Sequence, residues 1–151
     1  MKTLTSRGED YLRTVYEIVK AKGYARIKDI SKALGVKPPT VVEMMKRLQE
    51  QGLVAYEKYG GITLTPRGEE IAKALKRRHE VFKRFLELIL VPDDIATRDA
   101  HILEHQLDPK TVLQFTRFVE FITLAMETGR PKFVEKWIEE FKKYCEKHDR
   151  L

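Results

Sequence analysis

The sequence predicts a mostly α-helical fold in which three helices and one β-hairpin are followed by four further helices. Apolar residues recur at helical spacing through most of the 151 residues. The stretch "LVAYEKYGGITLT" instead reads as two short strands around a double glycine. Glycine or proline stands at the ends of most of the periodic segments, where helices start or stop.

The first helix is predicted over residues 9–22. Ser6 and Glu9 have the S-x-x-E spacing of a capping box, which marks a helix start. Gly23 supplies the stop. The apolar residues between them fall at helical spacing: Tyr11, Val15, Ile18 and Val19.

Two shorter helices are predicted next. A narrow apolar face from Ile30 to Leu34 gives the first, which ends at Gly35. Pro38 and Pro39 then pre-set the start of the second, Pro38–Gln51, because proline fits the first turn of a helix. Two helices joined by a tight glycine turn form a helix-turn-helix.

The hairpin follows directly. Its strands are predicted at Val54–Lys58 and Ile62–Thr65, with Tyr59-Gly60-Gly61 as the turn. Three helices followed by a β-hairpin wing make an N-terminal winged helix-turn-helix. This is the first of two predicted domains, over residues 1–72.

The second predicted domain, residues 73–151, is all-helical. Thr65 is a cap residue and Pro66 a first-turn residue for a long helix that ends near Leu90. Three more helices are predicted by apolar periodicity: Asp94–Leu107, Thr111–Glu127 and Pro131–His148.

Composition narrows the class of protein. Lys and Arg number 29 against 23 Asp and Glu, which gives a net charge of +6 and a pI of about 9.4. That balance suits a polyanionic partner. The single Cys145 excludes a disulfide framework and a cysteine zinc site. The sequence predicts neither a membrane span nor a secretory signal, so we expect a cytoplasmic protein.

Metal chemistry is indicated by the stretch "RDAHILEHQL", residues 98–107. His101, Glu104 and His105 share one helical face, because positions i, i+3 and i+4 are neighbours. Imidazole and carboxylate suit Mn, Fe, Co or Zn, and His79 on the long helix is a further candidate ligand. The alternatives stay open: a solvated helix face at 98–107, and a core histidine with one hydrogen bond at His79.

An enzyme is not expected. H-x-x-E-H is also the spacing of one class of zinc peptidases. A winged helix within 151 residues, however, leaves no room for a substrate cleft.

The order of these parts resembles the diphtheria toxin repressor family of metal-dependent transcriptional regulators, and most closely its short branch, the manganese transport regulators. The likeness spans about residues 4–107, and beyond them the chain matches only in being helical. The SH3-like domain of the longer branch is not expected here. The likeness rests on these stretches: "EDYLRTVYEI" (9–18), "YARIKDISKALGVKPPTVVEMMKRL" (24–48), "GLVAYEKYGGITLTPRG" (52–68), "RHEVFKRFL" (78–86) and "LEHQL" (103–107).

The resemblance implies one metal site per chain. Arg13 and Lys83 stand where the manganese branch has acidic residues, which removes ligands for a second ion. An aspartate in helix one favours Mn²⁺ over Fe²⁺, while Zn²⁺ or Co²⁺ could bind in vitro. The implied ligands are Asp10, His79, His101, Glu104 and His105.

DNA contacts are expected from the second helix of the helix-turn-helix and from the wing. We expect different side chains to contact base edges, phosphates and the minor groove. The candidate residues are Arg26, Lys37, Pro39, Thr40, Glu43, Lys46, Arg47, Lys58 and Tyr59.

A homodimer that reads a pseudo-palindromic operator is expected, since one winged helix reads too short a site. The expected function is a metal-dependent transcriptional repressor that controls metal uptake genes. The alternative is a winged-helix transcriptional regulator that responds to another ligand and whose metal site is degenerate. Part of one apolar set should form the dimer interface: Ile102, Leu103, Leu107, Val112, Phe115, Phe118, Val119 and Ile122. A second set should pack the last helix onto its module: Phe133, Trp137, Phe141 and Tyr144.

Overall fold

The computed structural model describes residues 4–148. They form two compact units, Met1–Arg77 and Arg78–Leu151. The first holds three helices, α1 (Ser6–Lys22), α2 (Ile27–Leu34) and α3 (Pro38–Glu50), and an antiparallel hairpin of β1 (Val54–Glu57) and β2 (Gly61–Leu64). Helix α4 (Pro66–Leu88) begins in the first unit and ends in the second, which also holds α5 (Asp93–Gln106), α6 (Pro109–Thr128) and α7 (Phe133–Lys147). The predicted fold class is confirmed.

The first unit is built around one apolar core. α1 contributes a buried stripe of Tyr11, Leu12 and Val15. Two backbone hydrogen bonds between Ala25 and Ile62, of 2.8 and 2.9 Å, join the hairpin to the segment before α2. Burying each large side chain stabilises the fold by about 1.5–3 kcal/mol. The largest core residues are Tyr11, Leu12, Val15, Ile30, Val41, Met45, Leu48 and Ile62.

The start of α1 differs from the prediction. The helix begins at Ser6, three residues early, and Thr5 is its N-cap, with its side-chain oxygen accepting from the Gly8 N–H at 3.1 Å. The capping box at Ser6 and Glu9 was therefore wrong. Thr5 and Ser6 are both good cap residues, and Thr5 is the one with the extended backbone that a cap requires.

The wing also shifts by one residue. The turn lies at residues 58–60, and Gly61 pairs with Glu57 as the first residue of β2 rather than standing in the turn. Its φ of 91° places it in the left-handed region, which glycine tolerates. α2 ends as predicted before Gly35, but it begins at Ile27, three residues before the predicted apolar face; the later predicted helices begin and end within two residues of the observed ones.

A glycine fixes the start of α4. The predicted cap is confirmed: the Gly68 N–H donates to the Thr65 side-chain oxygen at 3.0 Å, and that hydroxyl donates to the Gly52 carbonyl at 2.7 Å. A Cβ at Gly68 would lie 1.8 Å from the Leu53 carbonyl oxygen. Only a residue without a side chain therefore lets the first turn of α4 pack against the backbone that follows α3.

The second unit has two smaller apolar clusters. One contains Phe82 and Phe115, whose rings stack at 4.8 Å between centroids. The other brings Val134 of α7 against Ile122 and Ala125 of α6. No helix among residues 4–148 combines the length and apolar character needed to cross a membrane.

The packing predicted for the aromatic residues of α7 was largely wrong. Val134 is the residue that α7 buries, whereas Phe133, Trp137 and Tyr144 are 60%, 68% and 61% exposed. The apolar periodicity located the helix correctly. It could not show that the apolar face of α7 is wider than the surface that residues 4–148 offer to cover it.

Candidate metal centre

Glu104 lies on the buried stripe of α5. Ala96, Ala100 and Glu104 are spaced four residues apart and are the three buried residues of this helix. A carboxylate therefore occupies a position that the pattern reserves for core residues. A buried charge costs free energy unless it is paired, so the groups around Glu104 must compensate its carboxylate.

Three imidazoles surround the Glu104 carboxylate, whose side chain is only 2% exposed. Oε1 lies 3.5 Å from Nδ1 of His101 and 3.5 Å from Nε2 of His105. Oε2 lies 3.4 Å from Nδ1 of His79. The structure thus brings together four of the five ligands that the resemblance implies, all within the second unit.

These separations fit shared coordination better than hydrogen bonding. Hydrogen bonds of this type measure about 2.7–3.2 Å between heavy atoms. Two ligand atoms each about 2.1 Å from one ion, at angles of roughly 90–110°, stand about 3–3.5 Å apart. His101, Glu104 and His105 offer ligand atoms within 4.8 Å of one another.

The donor chemistry also fits a divalent transition metal. Two or three imidazoles and a carboxylate suit Mn²⁺, Fe²⁺, Co²⁺ or Zn²⁺. Nδ1 of His79 is buried and makes no hydrogen bond to the described part of the chain. This nitrogen faces the Glu104 carboxylate and is available to bind a metal ion. The donor atoms of these four residues fit a divalent transition-metal ion.

The remaining predicted ligand, Asp10, lies on α1 in the first unit and is half-buried. Nη2 of Arg13 stands 3.9 Å from its Oδ1. In the second unit, Lys83 donates to Asp93 at 2.6 Å, and this hydrogen bond raises the pKa of the Lys83 ammonium group. Positive charge therefore stands at both places where the resemblance would have supplied further carboxylates.

A second candidate surface lies on α3 and the wing. α3 buries Val41, Met45 and Leu48, which leaves its opposite face to solvent. On that face Nη2 of Arg47 contacts Oε1 of Glu43 at 2.5 Å. All nine side chains predicted to contact DNA are exposed: Arg26, Lys37, Pro39, Thr40, Glu43, Lys46, Arg47, Lys58 and Tyr59.

Aromatic rings hold two of these basic side chains. The Arg26 guanidinium lies 5.3 Å from the ring centroid of Tyr24 and donates to its hydroxyl at 3.1 Å. Lys58 lies 5.7 Å from the ring of Tyr59, which is 94% exposed at the tip of the wing. Sequence reasoning missed Tyr24, whose only signal was its place two residues before Arg26.

The net positive charge of the chain comes from the first unit. Residues 1–77 contain 16 Lys and Arg against 9 Asp and Glu, whereas residues 78–151 contain 13 against 14. The unit that carries the exposed face of α3 is thus the basic one, as a DNA-binding domain requires.

Two family models match the chain in succession. Residues 3–62 match "Iron dependent repressor, N-terminal DNA binding domain". Residues 65–132 match "Iron dependent repressor, metal binding and dimerisation domain".

The chain is also similar in sequence and structure to individual metal-dependent regulators. The HTH-type transcriptional regulator MntR of Lysinibacillus sphaericus is 38% identical over 112 residues, which cover 74% of this chain and 81% of that protein. The manganese regulator SloR has a TM-score of 0.65 at 31% identity, over 79% of this chain and 55% of its own. A manganese-dependent transcriptional repressor in complex with manganese has a TM-score of 0.62 at 28% identity, over 76% of this chain and 53% of its own. The present chain thus spans about half the length of these two solved proteins.

Proposed function

Since this chain belongs to the iron-dependent repressor family of transcriptional regulators, we propose that it represses transcription by binding DNA as a homodimer once it holds Mn²⁺ or Fe²⁺. The observation that carries the proposal is the buried Glu104 carboxylate with three imidazole nitrogens at 3.4–3.5 Å. The regulated genes are those of metal uptake, the protein acts in the cytoplasm, and it catalyses no reaction.

The metal site consists of Asp10, His79, His101, Glu104 and His105. Two carboxylates and three imidazoles satisfy a cation that takes five or six ligands, and the aspartate favours Mn²⁺ among the hard and borderline ions. Arg13 and Lys83 disfavour a second ion, because each places a cation where a further carboxylate would be needed. Zn²⁺ and Co²⁺ are expected to bind in vitro.

DNA is read by residues 1–72, and residues 73–151 supply the metal-binding and dimerisation domain. The N-terminal part of α3 enters the major groove, where Lys37, Pro39, Thr40 and Glu43 face base edges. Arg26, Lys46 and Arg47 meet phosphates, while Lys58 and Tyr59 contact the backbone or the minor groove from the wing. Support comes from the exposure of all these residues and from the excess of positive charge in the first unit.

Coupling between metal and DNA follows from where the ligands stand in the chain. Asp10 belongs to the DNA-reading unit, and the other four ligands belong to the second unit. An ion bound by residues of both units favours one arrangement of the two DNA-binding units of the dimer. Bound metal therefore raises the affinity of the protein for DNA, and bound DNA raises its affinity for the metal.

The test uses DNA selected from a random-sequence pool by the Mn²⁺-loaded protein. Fluorescence anisotropy with chelator-treated and Mn²⁺-loaded protein should show an affinity at least about 10-fold higher with the ion, which corresponds to about 1.4 kcal/mol of coupling. Asp10→Ala should keep the circular dichroism spectrum and the dimer but lose the metal effect. Glu17→Ala, an exposed carboxylate on the same helix, is the matched control. Equal DNA binding with and without metal would refute the proposal and favour a winged-helix regulator that answers to another ligand.

A further inference from the structure

Tyr24 stands in the short connection between α1 and α2 and is 38% exposed. Its ring lies against the backbone of the wing, because a Cβ at Gly61 would stand only 3.1 Å from Cδ2 of that ring. The next residue, Ala25, is buried and exchanges two backbone hydrogen bonds with Ile62 of β2. The core and the wing together therefore fix the place of the Tyr24 ring.

Two cations lie over the Tyr24 ring. The distance to the ring centroid is 5.8 Å for Nζ of Lys22 and 5.3 Å for the guanidinium carbon of Arg26. Both fall within the roughly 6 Å over which the face of an aromatic ring attracts a cation. Nη2 of Arg26 also donates to the Tyr24 hydroxyl at 3.1 Å. Tyr24 thus contacts Arg26 through both its ring and its hydroxyl.

Asp29 distinguishes the two cations from each other. Its Oδ2 accepts from Nζ of Lys22 at 2.5 Å and from the backbone N–H of Arg26 at 2.9 Å. Lys22 is therefore paired with a carboxylate, whereas no carboxylate among residues 4–148 forms an ion pair with the Arg26 guanidinium. Arg26 keeps its net charge and most of its N–H donors for a partner outside the chain.

Arg26 lines an open cleft of about 560 Å³ between this connection and the wing. Lys28 and Lys58 line the cleft as well, and Glu57 is the one acidic residue among its described lining residues. The excess of basic side chains favours an anionic partner there. A backbone phosphate of DNA carries one negative charge and accepts hydrogen bonds from the planar fork of a guanidinium group.

We propose that Tyr24 is a positioning residue for DNA binding, which holds the Arg26 guanidinium at this cleft so that it contacts a backbone phosphate beside the wing. The proposal rests on the proposed function, which assigns Arg26 a phosphate contact. An unrestrained arginine loses side-chain freedom when it binds phosphate. The contacts with Tyr24 restrict Arg26 before DNA arrives, so less freedom is lost on binding and the affinity is higher.

A double-mutant cycle tests this role, with Mn²⁺-loaded protein and the selected DNA in fluorescence anisotropy titrations. Tyr24→Phe removes only the hydroxyl and should lower the DNA affinity about 3–10-fold. The slope of log K against log salt should stay unchanged in this variant, because no charge is lost, whereas Arg26→Ala should make it less steep by about 1. Added to Arg26→Ala, Tyr24→Phe should have no further effect, since it acts only through the arginine.

Two further variants complete the cycle. Tyr24→Leu also removes the aromatic face and should lower the affinity more than Tyr24→Phe, again only when Arg26 is present. Tyr16→Phe is the matched control: it removes a hydroxyl from a half-buried tyrosine of α1 that has Lys20 at 5.6 Å over its ring, and it should bind DNA like the unmodified protein.

Two results overturn the proposal. If the Tyr24 variants lose as much affinity without Arg26 as with it, Tyr24 contacts DNA itself or supports only the fold. If both Tyr24 variants bind DNA with full affinity, Arg26 needs no positioning.

The protein without DNA provides an independent readout. Relaxation of the arginine Nε groups, measured by nuclear magnetic resonance, should show Arg26 to be more ordered than the exposed Arg67 at the start of α4. The order of Arg26 should fall in Tyr24→Leu. An Arg26 side chain as mobile as that of Arg67 contradicts the proposal.

Failure of this proposal is distinguishable from failure of the proposed function. Metal-dependent DNA binding with full affinity in both Tyr24 variants would leave the proposed function standing and remove the role of Tyr24. If DNA binding instead proves independent of Mn²⁺, the same cycle with chelator-treated protein still measures whether Tyr24 acts through Arg26.

Discussion

Nδ1 of His79 lies 3.4 Å from Oε2 of Glu104, while the other oxygen of the same carboxylate faces His101 and His105. One buried carboxylate thus connects an imidazole of α4 with two imidazoles of α5. A carboxylate buried this deeply is costly by itself, and a cation among the imidazoles would offset that cost. The arrangement makes Glu104 the centre of the proposed site.

Replacing Glu104 with glutamine should abolish most of the metal response. The amide keeps the volume of the side chain but loses its charge, so Mn²⁺ affinity should fall by at least the 10–100-fold typical of even an outer-shell change. Isothermal titration calorimetry measures this directly. Thermal unfolding adds a second readout: Mn²⁺ should raise the Tm of the unmodified protein and not that of the variant. Glu127→Gln, an exposed carboxylate of α6, is the control; unchanged affinity in Glu104→Gln would remove Glu104 from the site.

Removing Lys46 or Arg47 should weaken DNA binding for all sequences alike. Each phosphate contact releases counterions, so the slope of log K against log salt should become less steep by about 1 for each basic residue lost. Anisotropy titrations between 50 and 200 mM salt, a range over which this effect is large, measure the slope. Lys110→Ala on α6 should leave the slope unchanged. If removing Lys46 or Arg47 also left the slope equal to that of the unmodified protein, neither residue would contact phosphate.

Asp29 should stabilise the first unit in a pH-dependent way. Hydrogen bonds from Lys22, at 2.5 Å, and from the Arg26 N–H, at 2.9 Å, lower the pKa of Asp29 below its usual value. A depressed pKa in the folded state means that the stabilisation is present above the unfolded value, near 3.9, and is lost as the pH falls through the folded value. Asp29→Asn should therefore cost about 1 kcal/mol at pH 7.

Denaturant unfolding at pH 7 and at about pH 3 checks the sign for Asp29. The difference in unfolding free energy between the variant and the unmodified protein should shrink in acid. A difference that stays constant over this range would mean that the carboxylate charge contributes nothing. Glu17→Gln, on the exposed side of α1, provides the baseline.

Gly68→Ala should destabilise the protein although alanine is the better helix former. In an unpacked helix the change would gain about 1 kcal/mol. Here the new methyl group would lie 1.8 Å from the Leu53 carbonyl oxygen, so α4 must move and about 2 kcal/mol or more should be lost. The control Ala74→Gly, at an exposed position of the same helix, should cost about 1 kcal/mol from propensity alone. Unfolding of Gly68→Ala at unchanged or higher denaturant concentration would show that the helix start is not packed as described.

The winged helix was predictable because its signals are local. Glycine and proline mark the ends of α2 and α3, and the double glycine marks the hairpin. The start of α1 was misplaced because serine is by residue type at least as good a cap as threonine, and only the backbone conformation shows that Thr5 is the cap.

The metal centre could be predicted only in part. Helical spacing placed His101, Glu104 and His105 on one face, and the resemblance added His79. Spacing could not show that Glu104 continues the buried Ala96–Ala100 stripe, because burial depends on what packs against α5. The exposure of Trp137 was missed for the same reason: an apolar face predicts burial, and it does not say whether the same chain or a second one provides the cover.

The central claim is that three imidazoles and the Glu104 carboxylate hold a signalling ion. Titrating chelator-treated protein with Mn²⁺, and following the free ion by electron paramagnetic resonance, tests it most directly. One tight site per chain, lost in His101→Ala/His105→Ala with the circular dichroism spectrum unchanged, is the predicted result. No binding up to roughly millimolar Mn²⁺, and none with Fe²⁺ under anaerobic conditions, would contradict it.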